Sequence, residues 1–326
     1  MLTFPFTVYL PVFVGAFLLS ALSLPLWRRW ALRLDLVDDP GHRKIHDTPI
    51  PLAGGWAVLT GFLLPLAVGA LALRLGLLDA ASAQPLSHGF SRRIGQVVVL
   101  AAGAVGMLLI GWLDDRHELR PAAKFAGQLL IATGVALAGV RITLFVPSLW
   151  FSYIVTVFWI LALVNAFNFT DNMNGLCAGL AAIATWYFAL LAARDGQYLV
   201  ALLALSACGA LAGFLPWNFP RARAFLGDAG SHLAGYLVAV LAILPHFSTP
   251  EAGRVRAVFA PLLILAVPLV DMGQVVLGRW RRGQPFYVGD THHLSHLLAR
   301  RSGSRTGAVL WLWAAAAVLG TVPLWW

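Results

Sequence analysis

The chain has 326 residues, 60% of them apolar and 11% charged, where an ordinary soluble domain carries about 25% charged residues. Such a composition excludes a water-soluble enzyme. Apolar runs of 18 or more residues recur from Phe6 to Trp326, the pattern of an all-α, polytopic integral membrane protein. A closed barrel would need alternating strands of about ten residues, and runs such as 96–113 and 199–215 do not alternate. The net charge of +9 is assigned to helix ends beside anionic lipid and not to a nucleic-acid partner. Cys177 and Cys208 both lie inside apolar stretches and form no C-x-x-C, so neither a disulfide framework nor a zinc site is expected.

Ten spans are expected in one domain, 1–326, at about 6–27, 55–78, 94–113, 122–139, 143–164, 175–193, 197–215, 229–245, 257–278 and 306–326. The first lacks a basic leader and an A-x-A-like cleavage site, so it reads as a span that stays attached. With the N-terminus outside, 16 of the 23 Lys and Arg fall on inner connections, which are short enough for the positive-inside rule to set orientation. Both termini then face outside. Eleven of the fourteen acids share the cytoplasmic side, all but Asp79, Asp195 and Glu251. Acids contribute little to topology, so their one-sidedness needs another cause.

Five inner connections are dense in polar groups. The first runs Asp38-Asp39-Pro40-Gly41-His42-Arg43-Lys44-Ile45-His46 and continues through Thr48-Pro49-Ile50-Pro51 to Gly54-Gly55. Its cations suit a phosphate, or equally a solvated positive-inside loop. Second, Asp114 and Asp115 close the third span, where the helix dipole disfavours negative charge, so a cation should offset them. Third, Asn165, Asn168, Asp171, Asn172 and Asn174 crowd an eleven-residue link; such side chains supply oxygens to a hard cation and also make turns and caps. Fourth comes Gly227-Asp228-Ala229-Gly230-Ser231, where Asp228 alone reads as a helix N-cap. The fifth holds Asp290, His292, His293 and His296 with Arg300 and Arg301 following, a set better suited to phosphate than to a transition metal. Carboxylates, amides, imidazoles and cations on one face are the arrangement expected for Mg²⁺ and a pyrophosphate, and no P-loop is present.

These segments together resemble the polyprenyl-phosphate N-acetylhexosamine-1-phosphate transferases, from about Val37 to Leu298. The matching pieces are D-x-P-x-x-R-K-x-H with P-I-P-x-x-G-G, the Asp114-Asp115 pair, N-x-x-N-x-x-D at Asn165, Asn168 and Asp171, G-D-x-G-S at Gly227 to Ser231, and the histidine segment. The resemblance implies a cytoplasmic-face active site in the cell inner membrane. It implies Mg²⁺-dependent transfer of HexNAc-1-phosphate from a UDP-sugar to polyprenyl (undecaprenyl) phosphate, releasing UMP, with Mn²⁺ as an alternative ion and a homodimer as an allowed assembly.

Carried over by position, Asp114 and Asp115 are the catalytic pair and Asp228 and Asn168 the metal residues. Asp171, Asn174, Arg43, Lys44, His46, His293 and His296 would touch substrate. Two departures stand out. Asn174 replaces an acid of many relatives, and Ser295 replaces one imidazole of an H-x-H-H pattern. The Thr48-Pro49-Ile50-Pro51 segment resembles the GlcNAc-type branch more than the MurNAc-pentapeptide branch, which remains the alternative within the class. From another class, a transporter would place charges at mid-membrane, and only Asp271 lies inside an expected span.

Overall fold

The structure, a computed structural model, describes residues 3–38, 48–143, 146–245, 253–285 and 292–325. Twelve α-helices carry the fold among them: α1 Phe6–Arg33, α2 Gly54–Arg74, α3 Ala80–His117, α4 Pro121–Leu137, α5 Leu149–Thr170, α6 Leu176–Arg194, α7 Tyr198–Asn218, α8 Gly227–Leu241, α9 Gly253–Ile264, α10 Ala266–Arg281, α11 Leu294–Ser302 and α12 Arg305–Thr321. Seven are long and apolar enough to cross a membrane, or eight if α9 and α10 count as one bent span. The protein is a multi-pass membrane protein.

Each of the ten expected spans meets a helix, and the differences have local causes. Helix α3 begins fourteen residues before the expected 94, because the side chain of Asp79 accepts the Ser82 amide at 2.6 Å and caps a polar first half that apolarity alone does not reveal. Helix α5 starts at Leu149 and not at 143, under a Ser148 cap. The expected span 257–278 is two helices meeting at 77° around Leu265. Pro268 lies in the first turn after that break and has no amide to continue the ladder back to Ile264. Helices α4 and α8, of 17 and 15 residues, are shorter than the expected spans. The histidine segment, expected as a loop, turns into α11 at Leu294 with His293 as its N-cap residue.

Helix α8 is the hub. Its residues Ala229 to Leu241 are all buried, as its near-continuous apolar sequence requires, and it packs among α3, α5, α2 and α6. Helices α6 and α7 are also largely enclosed, and α1 lies along α7 and α2. The outer helices present Leu22, Leu130, Phe158 and Trp311, each at least 68% exposed, to the surroundings, the face a bilayer covers.

Small residues let the hub close. A methyl group on Gly111 of α3 would collide with the Asp228 carbonyl, and Gly227, at φ +71°, would carry one 2.8 Å from an Asp115 oxygen. A two-stranded ribbon, β1 Val37–Asp38 against β2 Ile50–Pro51, leads into α2 and is tied to the segment before α8 by the Phe225 amide on the Pro51 carbonyl at 3.0 Å.

Candidate active site

The C-terminal end of α3 with the turn that follows it, the α5–α6 turn and the start of α8 meet around one open cavity of about 1080 Å³. Its walls carry Asp114, Asp115, Asn168, Asp171, Asn174 and Asp228. Residues spread over more than a hundred positions are thus brought together, and the two cysteines are not among them.

The two adjacent acids of α3 do different work. Asp115 turns both carboxylate oxygens onto the start of α8, accepting the Asp228 amide at 2.7 Å and the Ala229 amide at 3.0 Å. A helix N-terminus carries unpaired amides and partial positive charge, so this is a capping bond made from another helix. Asp114 accepts the Leu119 amide at 2.9 Å, and its Oδ2 stands 2.6 Å from Lys124 Nζ. The same ammonium is 2.7 Å from Asp228 Oδ2. Asp228 does not cap its own helix: its Oδ1 accepts from Asn168 Nδ2 at 2.6 Å, and that amide also reaches Ser231 Oγ at 3.0 Å.

Behind this layer a polar chain continues into the core. Asn165 Nδ2 donates to Gln128 Oε1 at 2.9 Å, and Gln128 Nε2 lies 3.2 Å from Nε2 of the buried His232. Lys124 and Gln128 are one helical turn apart on α4, so they share the face turned to α8.

The α5–α6 turn is held from below. The Gly175 amide donates to Asn218 Oδ1 at 2.5 Å and Asn174 Nδ2 to the Pro220 carbonyl at 3.2 Å. Burial, with the charges of Asp228 and Asp115 nearby, pushes the Asp171 carboxyl up to about 8. A buried carboxyl among acids favours its neutral form until a cation arrives.

His293 and His296 do not line the acidic cavity. His293 is buried with Nδ1 on Asp271, its ring 6.1 Å from those of Phe169 and His296. Burial holds the His296 imidazole below its usual range, and the charges of His293, Arg305 and Arg300 act in the same direction. The link to the cavity is Arg305, which lines it. Ser295 Oγ donates to Asn172 Oδ1 at 2.7 Å, tying α11 to the α5–α6 turn. Arg43, Lys44 and His46 lie outside the described residues.

Sequence reasoning passed over Lys124, Gln128 and His232. Lys124 is one of the 16 cations of the inner connections, and the usable signal is a lone cation followed one turn later by Gln128 in an otherwise apolar helix.

The oxygen donors present suit a hard divalent ion. Asp114 and Asp228 already flank one cationic group, the Lys124 ammonium, and Asn168 adds an amide. Among the described residues no three His, Cys, Asp or Glu side chains form a ready metal cage. Mg²⁺ asks for no such cage, since it takes one or two carboxylates and completes its shell with phosphate oxygens and water.

The sequence profile of glycosyl transferase family 4 matches residues 97–246, the stretch that runs from α3 through α8. A probable undecaprenyl-phosphate N-acetylglucosaminyl 1-phosphate transferase of Bacillus subtilis is 30% identical over 96% of this chain and 86% of its own. The chain belongs to glycosyl transferase family 4. Other relatives in the comparison include the decaprenyl-phosphate N-acetylglucosaminephosphotransferase of Mycobacterium tuberculosis, 34% identical over 90% of this chain and 76% of its own. The undecaprenyl-phosphate alpha-N-acetylglucosaminyl 1-phosphate transferase of Escherichia coli K12 is 29% identical over 95% and 81%. The family match covers the segments that deliver Asp114, Asp115, Asn168, Asp171 and Asp228 to the cavity and Lys124 to two of those acids.

Proposed function

We propose that the protein transfers N-acetylhexosamine-1-phosphate, GlcNAc-1-phosphate first among the candidates, from a UDP-sugar to polyprenyl phosphate and releases UMP. The observation that carries the reading is a cavity large enough for a nucleotide sugar whose wall holds Asp114 and Asp228, the two carboxylates joined at 2.6 and 2.7 Å through the Lys124 ammonium. The names of the relatives, all polyprenyl-phosphate N-acetylglucosamine phosphotransferases, support the acceptor and the sugar.

In this reading an oxygen of the lipid phosphate attacks the sugar-bearing phosphorus of the donor. The bond from that phosphorus to the bridging oxygen breaks, and its electron pair leaves on UMP. The lipid phosphate is already mostly dianionic at pH 7, so no base has to take a proton from it. What the protein must supply is relief of repulsion between anions. Arg221 and Arg305 bring positive charge to the cavity, Lys124 offsets two of the carboxylates that line it, and Asp115 fixes the start of α8 so that Asp228 faces it. Asp114, Asp228 and Asn168 would hold a Mg²⁺ ion, which when bound supplies charge neutralisation to the phosphates.

The charge bias of the connections supports placing this cavity on the cytoplasmic face of the inner membrane, with both termini outside and ten crossings. Purified protein incubated with a panel of UDP-HexNAc donors and undecaprenyl phosphate should release UMP, lose that activity in EDTA and regain it with Mg²⁺. Absence of UMP release with every donor overturns the proposal in favour of a transporter.

A further inference from the structure

A second cavity, of about 540 Å³, lies toward the other end of α3. Arg92 is 22 residues before Asp114, which at 1.5 Å per residue puts it about 33 Å from the acidic site. His88, Arg92 and Arg93 line one wall, and Gly196 to Val200, at the α6–α7 turn, line the other. His88 and Arg92 are one helical turn apart and share a face of α3. Arg93 Nη1 donates to the Leu244 carbonyl at 3.0 Å, which holds that guanidinium in place beside Arg92. Gln96 and Tyr198 add polar groups, and no acidic side chain is among the lining residues.

The position of this basic cavity along the helix restricts its ligand. Ile94 and Val98, just past the arginines, are 42% and 57% exposed and open the long apolar stretch of α3. The arginines therefore stand where hydrocarbon gives way to headgroups, the depth at which long cationic side chains meet lipid phosphates. A phosphate of a lipid can sit in the cavity while its acyl chains follow Ile94 and Val98, an arrangement a soluble phosphate gains nothing from. We propose that this cavity binds the phosphate of an anionic phospholipid headgroup at the end of the bundle remote from the acidic site.

The test uses the full chain in mild detergent and native mass spectrometry, with dioleoyl phosphatidylglycerol, dioleoyl phosphatidylcholine and inorganic phosphate as probes. Wild type should retain phosphatidylglycerol in preference to phosphatidylcholine. Arg92→Gln, a change at an exposed position, should lower that retention about fivefold without moving the melting temperature. Arg74→Gln, another exposed arginine at a helix end, should leave it unchanged. Equal loss in both variants, or none in Arg92→Gln, overturns the site. Displacement of the lipid by millimolar inorganic phosphate shows a soluble-anion site and overturns the lipid assignment.

Discussion

Asp271 Oδ2 lies 2.7 Å from His293 Nδ1, and the other oxygen of the same carboxylate accepts the Leu294 amide at 2.6 Å. One buried side chain of α10 thereby orients the imidazole and caps α11, while Gln274 from the next turn donates to the His292 carbonyl at 2.8 Å. With Nδ1 committed to Asp271, Nε2 is the ring nitrogen left for any further partner.

Removing the carboxylate should leave a buried imidazole and an amide unpaired. Asp271→Ala is expected to lower stability by about 3 kcal/mol, read as a fall in melting temperature. Asp271→Asn and His293→Gln should each reduce turnover, and the double variant should be no worse than the stronger single one, because one residue acts through the other. Losses that simply add would show that the two act independently.

The neighbours Asp115 and Asp228 should separate cleanly. Asp115→Asn keeps one acceptor oxygen but turns a donor toward the α8 amides, so it should lower stability by about 1–2 kcal/mol together with activity. Asp228→Asn should abolish turnover with a nearly unchanged melting temperature, since its partners are Lys124 and Asn168 and not the helix itself. A loss of Asp228→Asn protein through instability would return Asp228 to a structural role.

The helices were legible because burial in lipid demands long apolar runs, and the acids because so many on one face have no topological reason. The partners of Lys124 and of Asp271 were not legible for a common reason. Each depends on what another helix places opposite it, and spacing along one chain does not carry that. The polar half of α3 escaped for a different reason: its Asp79 cap is a local signal, but a search for apolarity stops at the first arginines, Arg92 and Arg93.

Lys124 stands where a divalent ion would be attracted. Lys124→Gln should lower turnover about a hundredfold by removing charge from the phosphate site. It should also tighten Mn²⁺ binding, measured by electron paramagnetic resonance, since Asp114 and Asp228 lose their internal counter-ion. Unchanged Mn²⁺ affinity would show that lysine and metal do not share the two carboxylates.

Orientation can be read from the two ends of α3. In a background lacking Cys177 and Cys208, a cysteine at Ser87 should react with an impermeant thiol reagent added to intact cells, and cysteines at Arg120 and Ser302 should react only after lysis. The reverse pattern would put the acidic cavity outside, away from cytosolic nucleotide sugars.

Whether transfer takes one step or passes through an aspartyl phosphate turns on the bonding of Asp114 and Asp115. Both Asp115 oxygens accept amides of α8, and Asp114 is held by the Leu119 amide and Lys124. An oxygen engaged in this way is a poor nucleophile, whereas the lipid phosphate is an anionic oxygen already. A covalent route would also require Asp115 to release the start of α8 in every cycle. Direct displacement is therefore expected. A two-step enzyme exchanges labelled UMP into the UDP-sugar without lipid, and a one-step enzyme needs the acceptor for any exchange. Rigorously delipidated protein should show none, and polyprenyl phosphate should restore it. Exchange without lipid that disappears in Asp114→Asn or Asp115→Asn would identify the nucleophile and overturn the single-step mechanism.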